Sequence, residues 1–353
     1  MTMRLKTTFL LLPLLAMVAG CSTYIDDDLS DCPPVEPEPA GQEHELNYEL
    51  RLVTNITTEI NTQLNTTTDV NVANALRTHL KDIFTDYAHD VDLSFYDTDN
   101  EQERLSHDQH VMDASERSYT LYLPMREYMH LAVANLKDNQ VVALRDDERC
   151  PTAQLALKSE KRDTIDSHAT GLFTARQPME VLEGIDQTFH VKLYMANAAA
   201  ALVIDPRGHS YKDLRVYTTG FATQFLINDS TYTFAEQSPV VRTARLDTEG
   251  SDLCFCSVNY PSPDEESMRT VIERDFGDEE SDKVFWQFRI YATEMDGTVT
   301  ETLLDLHEPL NAGQLKIIKG WMSSEGAIET NSQEVTATVT LDWKEGGQYN
   351  PEF

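Results

Sequence analysis

From His44 to Val53 the chain reads HELNYELRLV, with Leu46, Tyr48, Leu50 and Leu52 in one phase and Glu45, Asn47, Glu49 and Arg51 in the other. Successive strand side chains point to opposite faces, so this spacing describes a sheet with one dry and one wet side. Strand patterns return along the whole chain and dominate what it can fold into. DVDLSFYD, YTLYLPM and EYMHLAVANL read as strands in the first half; FHVKLYMA, AALVIDP, DLRVYTTG, TQFLIND, DLCFCSV, VFWQFRIYAT and TVTETLLDL, short and β-branched or aromatic, read as strands in the second. VTATVTLDW closes the series, with Val335, Ala337, Val339, Leu341 and Trp343 in phase. Turn signals such as Pro206-Arg207-Gly208 and Asp296-Gly297 separate the runs. DVNVANALRTHLKDIFTDY differs: Val72, Leu76, Leu80, Phe84 and Tyr87 share a helical face, with Asp69 as a candidate cap. One helix against many strands predicts a mainly β protein, two β-sandwiches in series.

Length divides the body into two domains, 44–185 and 186–353. The pattern weakens into polar loop around Lys158–Arg176, and PMEVLEGID reads as the approach to the boundary.

Residues 1–20 have the three parts of a secretory signal: Arg4 and Lys6, an apolar run from Phe9 to Val18, and a small-residue site ending at Gly20. The residue after the cut is Cys21, and Val18-Ala19-Gly20-Cys21 has the form of a bacterial lipobox, in which the thiol carries acyl chains. Two or three chains, at about 0.8 kcal/mol per buried CH2, hold a protein on a membrane where one does not. Residues 21–43 then form a tether with Asp26, Asp27, Asp28 and Asp31 and with Pro33, Pro34, Pro37 and Pro39, a composition that stays extended. The chain carries a net −32, and removing the signal takes away two basic residues and no acidic one. Such a balance excludes nucleic acid as a partner and opposes direct docking on anionic lipid.

Beyond Cys21 the cysteines are Cys32, Cys150, Cys254 and Cys256. An even count in an oxidising compartment predicts disulfides, and four thiols allow three connectivities. Cys254 and Cys256 leave a strand on the same face, so each is expected to pair with a distant partner, tying Cys32 and Cys150 to the second half. Zinc is the weaker alternative, since no C-x-x-C pair and no suitably placed histidines occur.

Catalytic constellations with good spacing are not found: no H-E-x-x-H, G-x-S-x-G, P-loop or Gly-rich dinucleotide turn. His107 and His110 flank Asp108 in SHDQH, which reads first as a solvated loop. Asp97-Thr98-Asp99-Asn100 starts like a calcium loop without the later glycine and acid, and reads as a hairpin turn. The expectation is a non-enzyme without cofactor or metal.

Several of these stretches together resemble a known family. CSTYIDDDLSDCPP, LSFYDTDN, YTLYLPMREYMHLAVAN, FHVKLYMANAAA, LNAGQLKIIK and the terminal VTLDW are similar, in that order, to segments of the FimB/Mfa-type fimbrial anchor lipoproteins of Bacteroidetes. The likeness spans nearly the whole mature chain. Asn100 replaces the usual turn glycine, and a helical segment precedes the first F-D strand. The resemblance implies transthyretin-like Greek-key sandwiches and a lipid anchor in the outer membrane. It also implies fimbrial stalk subunits as partners and a role in attaching, and limiting, the fibre. In this phylum acidic residues after the lipidated cysteine resemble a surface-export signal, a role that would fall to Asp26, Asp27 and Asp28.

Related stalk pilins are thought to lose an N-terminal strand and accept a neighbour's strand in its place. Here the equivalent strand, Leu46–Val53, is continuous with Cys21, so cutting it off would cut the protein from its lipid. An anchor must keep that strand and can only supply one. The segment Val335–Trp343, with Val335, Val339, Leu341 and Trp343 as contacts, and the tail Lys344–Phe353 are the expected stalk contact. The alternatives are a surface glycan-binding lipoprotein and a fimbrial tip adhesin of the same superfamily. Trp286 and Trp343 sit in strand patterns and Trp321 near a turn, so no aromatic platform for sugar is evident.

Overall fold

The computed structural model describes residues 43–52, 64, 69–81, 83–84, 88–99, 102–111, 118–159, 164–183, 185–266, 283–330 and 337–340. The first region holds β1 (Glu43–Leu52), α1 (Val70–Leu80), β2 (Asp90–Asp97), β3 (Arg104–Val111), β4 (Ser118–Pro124), β5 (Glu127–Ala134), β6 (Val142–Arg145), β7 (Gln154–Leu157), β8 (Thr164–Asp166) and β9 (Phe173–Glu180). The second holds β10 (Thr188–Met195), β11 (Ala198–Asp205), β12 (Tyr211–Thr219), β13 (Gln224–Leu226), β14 (Thr231–Thr233), β15 (Val240–Arg242) and β16 (Ala244–Leu246). It continues with β17 (Leu253–Asn259), β18 (Trp286–Glu294), β19 (Val299–Leu306), β20 (Gln314–Met322), β21 (Ile328–Thr330) and β22 (Ala337–Thr340). The molecule is mainly β, as the alternation predicts.

Four sheets form. A seven-stranded sheet runs β3-β2-β5-β9-β10-β1-β4. It curls until its edges meet, for His110 of β3 stacks on Tyr119 of β4 with ring centroids 4.8 Å apart. The enclosed faces supply Leu46, Tyr48, Leu93, Phe95, Leu121, Tyr128, Phe173 and Leu193 to one core. A six-stranded sheet, β16-β17-β11-β20-β21 with β22 also on β20, is buried on both faces. Along β11, Ala199, Ala201 and Val203 enter that first core, while Ala198, Ala200, Leu202 and Ile204 enter a second. The second core also takes Leu214, Val216, Phe288 and Ile290 from a five-stranded sheet, β19-β18-β12-β15-β8.

Helix α1 forms because Asp69 accepts the backbone N–H of Asn71 at 2.8 Å, filling an otherwise orphaned donor at the first turn. It buries Val72, Ala73, Ala75, Leu76 and Leu80 in the same core as Cys254, Cys256 and Leu315, so the helix is the filling between the curled sheet and the six-stranded one. Among the described residues no helix is long and apolar enough to cross a membrane.

Strand pairing runs across position 185. β10 completes the seven-stranded sheet, while β6 and β7 pair into a four-stranded sheet with β13 and β14, and β8 pairs in parallel with β15. Each region therefore lends strands to the other. The polar loop expected around 158–176 contains β8 and the start of β9. SHDQH is not a loop but part of strand β3, with His107 and His110 on opposite faces.

The expected disulfides from Cys150 to Cys254 or Cys256 are not formed; all three thiols are free and buried. Cys150 lies in the second core and donates to Asn228 Oδ1 at 3.3 Å. Cys254 and Cys256 do share a face, but they point into the first core beside α1. The separation is set by how the sheets stack, which spacing along the chain does not encode. Cys32 lies outside the described residues.

Candidate functional site

β1 is the first strand after the tether, and its surroundings decide whether it can leave. From Glu43 to Glu49 it pairs antiparallel with β4, Glu43 opposite Pro124 and Glu49 opposite Ser118. From Asn47 to Leu52 it pairs in parallel with β10, Asn47 opposite Thr188. Residues 47–49 are thus bonded on both sides, and β1 is an interior strand. On the outer face the Glu49 carboxylate meets His190 Nδ1 at 2.9 Å, holding β1 against β10.

Its inward residues Leu46, Tyr48 and Leu50 are 1%, 0% and 5% exposed. At about 1.5–3 kcal/mol per fully buried large side chain, withdrawing the three costs roughly 5–9 kcal/mol, an upper estimate. That is of the order of a domain's whole net stability, about 5–15 kcal/mol. The strand therefore stays in place unless the body unfolds.

A polar contact fixes it further. The Tyr48 hydroxyl donates to His130 Nε2 at 2.5 Å across the interior, and His130 Nδ1 donates to the Ser94 carbonyl at 3.0 Å. The two bonds define the neutral tautomer with its proton on Nδ1. Phe95 stacks on the His130 ring at 4.4 Å, and Tyr119 lies 5.2 Å from the Tyr48 ring. Burial lowers the imidazole pKa to about 4, against the Ser94 carbonyl bond that favours the charged form. Burial, and then the neighbouring Tyr119, raise the Tyr48 phenol well above its ordinary value. The pair was not singled out from sequence. The signal was present: both residues occupy the apolar phase of an alternating strand, Tyr48 between two leucines and His130 between Tyr128 and Ala132.

At the other end of the chain β22 lies antiparallel on β20, with Val339 opposite Leu315 and Thr340 opposite Gln314. β21 occupies the rest of that β20 edge, opposite Gly320 to Met322. Among the described residues no strand pairs the far side of β22. Val335, Leu341 and Trp343 lie outside the described residues, as do Gly20, Cys21, Asp26, Asp27 and Asp28.

The other residues weighed for chemistry do not converge. His107 Nε2 sits 2.9 Å from Asp92 Oδ1, whose second oxygen accepts from Gln109, while His110 stacks on Tyr119. Asp97 accepts the N–H of Asp99 within the turn after β2. Among the described residues no group of His, Cys, Asp or Glu could hold a metal ion. An open cavity of about 320 Å³ lies beside Asp146, Glu148, Thr152 and Leu226. Its Asp146 carboxylate is taken up by Gln154 at 2.6 Å.

A model of the family described as Fimbrillin-A associated anchor proteins Mfa1 and Mfa2 matches residues 47–237, more than half of the chain. Solved structures align with this chain at low identity. The fimbrial anchor protein Mfa2 of Porphyromonas gingivalis aligns at 11% identity and TM-score 0.41 over 80% of this chain and 92% of that chain. A candidate polysaccharide-binding protein of Bacteroides thetaiotaomicron aligns at 12% and 0.47 over 86% and 99%. The tip fimbrial protein Mfa3 of P. gingivalis, truncated at its C-terminus, aligns at 10% and 0.39 over 80% and 96%. No curated protein matches the chain.

Proposed function

As this chain belongs to the family of fimbrillin-A associated anchor proteins, we propose that it is the lipid-anchored base of a cell-surface fimbria. The family is one of structural fimbrial proteins, so association with fimbrial subunits at the cell surface is common ground. The observation that carries the finer reading is β1. It is bonded on both sides, buries Leu46, Tyr48 and Leu50, and follows directly on the acidic tether. A subunit that fills its own groove with a strand tied to its own lipid is suited to begin a fibre and not to be added within one.

In this reading the signal is cut between Gly20 and Cys21, and Cys21 carries the acyl chains that hold the protein in the outer membrane. Asp26, Asp27 and Asp28 direct it to the outer surface. The C-terminal segment around Val335, Val339, Leu341 and Trp343 supplies the strand to the first stalk subunit. β22, at an edge among the described residues, suits that role, since an edge strand can be exchanged without opening the core. The body is read as two transthyretin-like sandwiches, 44–185 and 186–353, amended by the strands each region lends the other.

The test is to delete the gene and restore it as wild type or as Cys21→Ala, comparing fimbriae on cells with fimbriae in the medium. The reading requires fibres to be shed and only the wild type to return them. Fibres that stay attached in the deletion strain would overturn it in favour of a tip or glycan-binding role.

A further inference from the structure

The five-stranded sheet ends in β19, and the free side of that strand lacks the devices that ordinarily guard an edge. Hydrogen bonds at both ends of the β18–β19 pair fix which residues turn towards β18. The Glu294 N–H donates to the Thr298 carbonyl at 2.8 Å, and the Phe285 N–H to the Leu306 carbonyl at 2.9 Å. In an antiparallel pair such residues alternate with residues whose backbone groups point the other way. Val299, Glu301, Leu303 and Asp305 therefore turn their N–H and C=O groups away from β18, and among the described residues no strand pairs with them. The strand is open to solvent there, Val299 being 52% and Leu303 51% exposed.

An open edge of this length is a template for a further strand, and proteins blunt such edges with proline, lysine, a bulge or an inward-pointing charge. β19 has none of these. Its register with β18 runs unbroken from Val299 to Leu306, and its inward residues are Thr300, Thr302, Leu304 and Leu306. The hairpin between β20 and β21 holds it in place, with Thr302 Oγ1 accepting the Ile328 N–H at 3.0 Å. The other long edges are closed. β3 and β4 meet where His110 stacks on Tyr119, and β3 turns Asp108 inward. The remaining edge strands, β6, β8, β14, β16, β21 and β22, are three or four residues long.

The side chains along this edge decide which strand can use it. Val299, Glu301, Leu303 and Asp305 share the outward face, so apolar and acidic residues alternate there. The carboxylates are held in position, Glu301 by the Tyr291 hydroxyl at 2.9 Å and Asp305 by Gln287 at 2.6 Å. A second copy of the chain is refused. In either direction, any register that pairs more than one of these residues with its copy sets acid against acid or every apolar residue against an acid, and like charges directly opposite destabilise a sheet. A strand with apolar residues opposite Val299 and Leu303 and with lysine or arginine opposite Glu301 and Asp305 satisfies all four positions. We infer that β19 accepts an extended segment of another protein, alternating apolar and basic residues, as an added strand of this sheet. The acceptor edge is separate from the C-terminal strand and does not depend on the lipid anchor.

The probe is a synthetic peptide in which every second residue is threonine and the residues between are lysine and valine in turn. A control peptide replaces each lysine by glutamate. Binding to the purified mature protein is measured by calorimetry, and amide hydrogen exchange reports on Val299, Glu301, Leu303 and Asp305. The lysine peptide is expected to bind at least about fivefold tighter than the control and to protect those amides. Leu303→Pro removes an outward N–H and no bond to β18, so it should stay folded by far-ultraviolet dichroism and weaken the lysine peptide at least about fivefold. Glu301→Val combined with Asp305→Val lifts the barrier to self-pairing, and sedimentation should show that protein associating with itself more than the wild type does. Peptides that bind within about twofold of each other, or that leave those amides unprotected, would overturn the proposal. So would a double variant no more associated than the wild type, since its edge would then be covered.

Discussion

Acid should loosen this body through His130, and the size of the effect follows from its surroundings. The ring is fully buried against Tyr48 and Phe95, with no carboxylate among those contacts to welcome a proton. Its pKa falls from 6.5 to about 4 on folding. The unfolded chain therefore binds the proton first as pH drops. The stabilisation is complete above pH 6.5 and is lost as pH falls towards about 4. Between pH 7 and pH 5 this one group removes about 2 kcal/mol of stability. His168, lowered to about 3 by burial, adds a similar loss, so the wild-type slope alone does not isolate His130. The clean assay compares urea unfolding of wild type and His130→Gln at pH 7 and pH 5. Glutamine keeps a donor and an acceptor but does not titrate. The variant should start less stable at pH 7 and lose about 2 kcal/mol less than wild type on acidification. Parallel losses in the two proteins would show that His130 is not held neutral in the core, and the reasoning would fail.

Tyr48→Phe removes the donor to His130 Nε2 and leaves that buried acceptor unmet, which should cost about 1–3 kcal/mol in the same unfolding assay; no change would mean the bond contributes nothing. Gly220 has φ +104, and a Cβ there would stand 2.6 Å from the Trp286 backbone, so Gly220→Ala should destabilise by about 2–4 kcal/mol, read as a lower denaturant midpoint. Cys150, Cys254 and Cys256 should resist alkylation in the native protein and react fully in denaturant without any reductant, as followed by mass spectrometry; a need for reductant at any of the three would restore the disulfide expectation.

What the sequence revealed, and what it hid, follows from the range over which each feature is specified. β1, β12 and β18 were legible because seven or more residues keep a two-residue period, β11 because it is an unbroken apolar run, and α1 because its cap and apolar stripe are local. β3 was missed because its inward residues Ser106, Asp108 and His110 are polar, so no apolar phase marks it. β6, β7 and β8 are three or four residues long, too short for a period, and β7 and β8 take partners from residues 224–242, too distant for a turn signal. The shared face of Cys254 and Cys256 was readable from spacing; their distance from Cys150 depended on which sheet face met which core.

The central claim is that the chain sits at the root of a fibre, held by lipid on Cys21. Immunogold labelling of whole cells with antibody against the mature body, at single-fibre resolution, tests it most directly. The account predicts one cluster of gold at the membrane end of each fibre and none along its length. Gold at the free ends, or over the cell surface away from any fibre, would contradict it.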